Sequence, residues 1–84
     1  MKQDASWFED VEPHLVFVAK RLADAIALES LFTAAEVDYA VEADEYQGGV
    51  IFKSTRIGAF FYVRPEDRPQ AETVMLENGY VPAK

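Results

Sequence analysis

The segment Gly49-Val50-Ile51-Phe52-Lys53, followed by Ser54 to Gly58 and then Ala59-Phe60-Phe61-Tyr62-Val63-Arg64-Pro65-Glu66-Asp67, decides the fold. It reads as a strand hairpin with a short polar turn over 54–58, delivering the chain into a helix. Residues 59–63 are apolar on both strand faces, as expected of a central strand covered on each side. His14-Leu15-Val16-Phe17-Val18-Ala19 has the same character, with Leu15 and Phe17 on one face and Val16 and Val18 on the other. Branched and aromatic residues of this kind suit a pleated sheet.

Between these strands the period changes. Ala27, Leu28, Leu31, Ala34 and Ala35 fall on one face of a helix running from Lys20 or Arg21 to Glu36. No glycine marks its end. Val37, Tyr39, Val41 and Ala43 then alternate with Asp38, Ala40 and Glu42, predicting a strand with one wet face, and Asp44 to Gly49 reads as a turn. After Pro65, Asp67 is a candidate N-cap and Pro69 fits a first helical turn, where a missing N–H costs little. Ala71, Val74, Met75 and Asn78 line one face of that second helix. Asn78-Gly79-Tyr80 is a C-terminal cap signal, and Val81-Pro82 adds extended chain.

The order strand, helix, two or three strands, helix defines an α+β sandwich, mainly antiparallel, with both helices on one sheet face. The ferredoxin-like arrangement fits best. One conflict remains inside this reading. Three consecutive hairpin strands at 37–43, 50–53 and 59–63 would make the last parallel to the first. Either residues 50–53 form an excursion or the strand order differs.

Eighty-four residues make one domain, read as an N-terminal arm over 1–12 and an α+β body over 13–84. The arm mixes Trp7, Phe8 and Val11 with Asp4, Glu9, Asp10 and Glu12; its aromatics would cover the sheet or dock a partner. Half the residues are apolar, too many for a disordered chain despite a net charge of −7. A domain this short buries roughly 60–65% of its unfolded surface. With no cysteine it has no disulfide or thiolate metal site, so a dense core or a partner subunit must stabilise it. The acidic balance opposes nucleic-acid and anionic-membrane binding. No apolar run reaches the ~18–20 residues that span a bilayer. The polar start Met1 to Ser6 does not read as a signal peptide, so a cytoplasmic protein is expected.

Ala27 to Val37 (Ala-Leu-Glu-Ser-Leu-Phe-Thr-Ala-Ala-Glu-Val) and Val63-Arg64-Pro65-Glu66-Asp67, with Ala71 beyond, resemble the helix and strand exit of a small bacterial family. Its members are described as putative prokaryotic signal-transducing proteins, a domain of unknown function. The resemblance spans roughly residues 14–78 and implies a ferredoxin-like fold likened to PII signalling proteins. It carries over no catalytic residues. The segment around 48–58 and the acidic arm depart from the family pattern, and no long basic nucleotide-binding loop is present.

Chemistry is sparse. His14 is the single histidine, and with Asp10 and Glu12 it falls short of a ligand set at defined spacing. No serine or threonine has a histidine nearby in sequence to activate it, so no enzyme, metal or cofactor is expected. Asp38, Glu42 and Asp44 share a strand face and read as a solvated edge that discourages sheet pairing. Gly48-Gly49 precedes a strand and so reads as a turn, not a phosphate cradle. Lys53, Arg56 and Arg64 are the one basic cluster and the candidate site for a small anion or metabolite. For self-association the candidates are Phe60, Phe61, Tyr62 and Val63. Two helices cover one sheet face, so either Phe60 with Tyr62 or Phe61 with Val63 forms an apolar patch on the other, according to register. The expectation is therefore a non-enzymatic regulatory or interaction module, homodimeric, with an anion-binding domain as the alternative.

Overall fold

The computed structural model describes residues 2–3, 12–48 and 54–83. In chain order the elements are β1 (His14–Ala19), α1 (Leu22–Ala34), β2 (Ala40–Gly48), β3 (Ser54–Val63), a 3₁₀ turn (Pro65–Asp67) and α2 (Arg68–Glu77). The sheet order is β1-β3-β2, with β3 antiparallel to both neighbours. β1 and β2 therefore run parallel on either side of β3, joined by α1. This is an α+β fold with a three-stranded antiparallel sheet, consistent with a ferredoxin-like sandwich.

Two expected turns are strand instead. β2 continues through Asp44 to Gly48, and β3 begins at Ser54, with Asp44↔Gly58, Glu45↔Ile57, Tyr46↔Arg56, Gln47↔Thr55 and Gly48↔Ser54 in register. Beyond Ala59 there is no β1 beneath these residues, so the ribbon needs no apolar face, and its polar and glycine residues mimic turn signals. One long pair replaces two short hairpins, which removes the conflict over strand direction. The expected strand residues 50–53 lie outside the described residues, as do Trp7 and Phe8.

β1 carries a bulge between Leu15 and Phe17. The extra residue, Val16, lets both Val16 and Phe17 turn toward the helices, correcting the simple alternation expected there. Val16 is fully buried, and Phe17 packs on the core with its ring edge-on to Tyr80 at 5.6 Å. Across β3, Phe61 and Val63 face the same way and are fully buried. Phe61 lies against Phe32 and Tyr39, with ring centroids 6.2 and 6.0 Å away.

α1 contributes Ala25, Leu28 and Phe32 to this core, with Leu31 and Ala35 packed at its edge. The inner stripe is thus rotated from the expected one: Phe32 goes in and Ala34 faces out, because the Phe32 ring closes the aromatic cluster. α2 adds Ala71 and Met75, and Val74 packs beside them. Asn78 is exposed, its amide donating to the Val74 carbonyl at 2.8 Å. Both helices therefore meet one sheet face in one contiguous core.

Both helices also end alike. After α2, Gly79 has φ 84; the Tyr80 N–H donates to Met75 O at 2.8 Å and the Gly79 N–H to Leu76 O at 3.3 Å. That double closure is the Schellman motif. After α1 the same pair is made by Val37 N–H to Phe32 O, 2.9 Å, and Glu36 N–H to Thr33 O, 3.2 Å. Here the left-handed position is held by Glu36, φ 59. The chain ends close in on the sheet edges. Gln3 N–H donates to Tyr39 O, and Lys2 bridges Tyr39 in parallel. Ala83 N–H donates to Val16 O at 2.7 Å on the outer edge of β1.

Candidate functional site

The register divides the four self-association candidates. Phe61 and Val63 lie in the core under the helices, so they belong to no surface; this corrects their inclusion in the expected patch. Phe60 and Tyr62 point to the opposite face, which carries no helix among the described residues. Their cross-strand partners there are Val18 and Leu15 on β1, and Glu42 and Ala40 on β2. Leu15, Val18, Phe60 and Tyr62 are each half-buried.

The same face carries charge of both signs. Glu42 and Asp44 stand along β2, and Arg56 lies further along β3 at the same parity as Phe60, all three exposed. Burial, together with the carboxylates of Glu42 and Asp44, pushes the Tyr62 phenol above its ordinary range. Asp38, expected beside them, precedes β2 and accepts a 3.4 Å contact from Gln3 Nε2.

The basic cluster does not assemble. Arg56 and Arg64 sit at opposite ends of β3, eight residues apart, which in extended chain is about 26 Å. No small anion can touch both. Arg64 instead faces Glu66, Nη1 to Oε1 at 3.9 Å, and Lys53 lies outside the described residues. The grouping rested on nearness in sequence, and along an extended strand that nearness does not bring side chains together. His14 is half-buried opposite Val63, and no group of three or more metal-ligating side chains occurs among the described residues.

A second surface was not visible in the sequence. β1 ends where Ala19 meets Ala59, and just beyond it an apolar cleft of about 240 Å³ opens between the start of α1 and β3. Small side chains line it, among them Ala19, Ala43 and Ala59. On its rim stand Leu22 and Ile57, 77% and 71% exposed. Only the strand register brings these residues together. Gly58 inside an otherwise filled strand was the one local sign.

Neither family models, nor curated proteins, nor solved structures match the chain. Among the described residues no helix is long and apolar enough to cross a membrane.

Proposed function

We propose that the chain is a non-enzymatic interaction module with a regulatory role, acting as a homodimer through its helix-free sheet face. The observation that supports this is the set Leu15, Val18, Phe60 and Tyr62 on one face of a three-stranded sheet whose two helices both pack on the other. A second copy suits this face because it offers the same apolar set to cover it. Glu42 and Asp44 border the apolar centre along β2, and Arg56 stands on β3 beyond Gly58, at the same end as Asp44. The regulatory part of the reading draws on the resemblance of Val63-Arg64-Pro65-Glu66-Asp67 to putative signal-transducing proteins. The distance between Arg56 and Arg64 leaves the anion-binding alternative without a shared site.

Light scattering at low micromolar concentration tests the proposal. The expected mass is twice the 9.5 kDa of one chain. Phe60→Lys should return it to the single-chain mass while the helical circular-dichroism signal and melting cooperativity persist. A wild-type protein that stays monomeric at these concentrations, or a Phe60→Lys variant that stays folded and dimeric, refutes it.

A further inference from the structure

Among the described residues the sheet has two outer edges, one on β1 and one on β2. The β1 edge is short and is met by the C-terminal segment, whose Ala83 N–H donates to Val16 O at 2.7 Å. The β2 edge is nine residues long, Ala40–Gly48. Among the described residues only Lys2 and Gln3 meet it, and only at its start. Lys2 bridges Tyr39 in parallel, and the Gln3 N–H donates to Tyr39 O.

That contact fixes which backbone groups face out. In an antiparallel pair a residue either exchanges both its N–H and its C=O with the neighbouring strand or turns both away, in alternation. Tyr39 turns outward to Gln3, so Val41, Ala43 and Glu45 turn outward as well, while Ala40, Glu42 and Asp44 face β3. Glu45 follows the same alternation: the Asp44 carboxylate accepts its N–H at 2.7 Å. From Val41 to Glu45 this is about 17 Å of strand edge turned away from the sheet. Such an edge is a template for an added strand.

Acids flank this edge on both sheet faces. Glu42 and Asp44 stand on the face opposite the helices and Glu45 on the helix side, all three exposed. Among the described residues none of them is in an ion pair. Arg56, the described base nearest them in register, lies on β3 two residues beyond Gly58, the partner of Asp44. Like charges set directly opposite each other weaken a strand pair, so a second copy of β2, or any acidic strand, is repelled. A basic strand meets attraction instead. The chain supplies its own example. Lys2, in the segment that pairs with the start of the β2 edge, puts its ammonium 3.4 Å from Glu29 on α1.

We infer that the β2 edge is a strand-addition site for an extended, basic segment of a partner protein. The segment pairs its backbone with the outward groups of Val41 and Ala43 and with the Glu45 carbonyl. Lysine or arginine at alternate positions lies beside Glu42 and Asp44, and a basic residue on the other face lies beside Glu45. Main-chain hydrogen bonds hold the segment, and the acids choose it by charge. The site is an edge of the sheet, distinct from the face proposed for dimerisation.

The test uses the full chain, ¹⁵N-labelled, and an end-blocked octapeptide alternating lysine with valine. Its binding should shift the amides of residues 40–45, slow hydrogen exchange at Val41 and Ala43, and weaken as salt is raised. An octapeptide alternating glutamate with valine should not bind. Glu42→Lys combined with Asp44→Lys should weaken binding about tenfold or more, the loss of two charge pairs. Glu36→Lys combined with Glu77→Lys changes the net charge equally at two exposed sites off the edge and should bind as the wild type does. Melting curves establish that each variant is folded. Protection at 41 and 43 is expected whatever mass light scattering gives, so this result and the dimer test fail separately. The inference is overturned if the basic peptide leaves exchange at 41 and 43 unchanged, if the glutamate peptide binds equally well, or if the variant at 42 and 44 binds as the wild type does. It is equally overturned if a peptide alternating lysine with proline, of the same charge but unable to pair as a strand, binds as tightly. The acids would then collect cations with no strand added.

Discussion

Glu36→Gly should make this protein more stable, although it deletes a whole side chain. Glu36 occupies the left-handed C′ position of the α1 cap with φ 59, the role that Gly79 fills after α2. A residue with a Cβ is held there at a cost of about 1–2 kcal/mol. Glycine removes that strain but gains freedom in the unfolded chain, which takes back about 0.4–1 kcal/mol. The net expectation is about 0.5–1 kcal/mol in favour of the variant, a rise in Tm of about 2–8 °C for a domain of this size. The side chain itself contributes little, since Glu36 is exposed. Glu36→Ala is the control: it keeps the strained backbone and should melt within a degree or two of the wild type. Gly79→Ala is the converse. A Cβ there meets nothing within 4 Å, so its expected loss of about 1 kcal/mol is backbone strain alone. Thermal and urea unfolding of the three variants, followed by circular dichroism, measure the effects. If Glu36→Gly is no more stable than Glu36→Ala, the cap reasoning is wrong.

Phe32→Ala should cost about 3–5 kcal/mol, because it empties a fully buried site between Tyr39 and Phe61. That is a large share of the roughly 4–13 kcal/mol total expected for a domain of this length, so urea unfolding should find the variant largely unfolded or close to it. A loss under about 2 kcal/mol would mean that the aromatic cluster does not hold the core together. Asp67→Asn should be stabilising at neutral pH. Burial first, then the carboxylates of Glu66 and Asp38, raise the Asp67 carboxyl above its ordinary 3.8, with Arg64 opposing. A raised carboxyl pKa means the folded state holds the proton more tightly than the unfolded one. Stability is therefore lost as pH rises from the unfolded pKa through the folded one, and stays lost at neutral pH. Asp67 stands at the N-cap position of α2 but makes no side-chain capping hydrogen bond, so asparagine sacrifices none. The Tm advantage should be present at pH 7 and fade below the unfolded pKa; an advantage that grows in acid has the opposite sign and refutes the assignment.

The parts of the fold legible in the sequence are those encoded locally. Asn78-Gly79-Tyr80 announces the end of α2 because glycine is the residue that φ 84 favours. Val37, Tyr39 and Val41 announce a half-buried strand by alternation, and Pro65 to Pro69 marks the entry to α2. The end of α1 is hidden because Glu36 makes the same cap without the expected residue type. The long β2–β3 ribbon is hidden because its register is non-local, and Gly48, Ser54 and Gly58 are residue types that favour turns over strands. The arginine pair failed as a site because nearness in sequence is not nearness in space: Arg56 and Arg64 are eight residues apart along extended chain.

Register also decides which surface the protein offers. A slip of one residue along β3 would exchange Phe60 and Tyr62 for Phe61 and Val63 on the open face, since successive side chains point to opposite sides. Both pairs are apolar, so hydrophobic pattern alone discriminates weakly between them. Two features on the helix side break the tie. The Phe61 ring lies with those of Phe32 and Tyr39, the latter fixed one residue before β2 begins. The bulge at Val16 turns Phe17 in toward Tyr80 directly opposite Phe61. Slipping β3 would place Phe60 in a cluster shaped around Phe61 and move Val63 off His14, losing packing at every contact together. The aromatic cluster thus has two consequences. It supplies much of the buried area of a small domain, and it commits Phe60 and Tyr62, with Arg56 beyond them, to the face proposed for the partner copy.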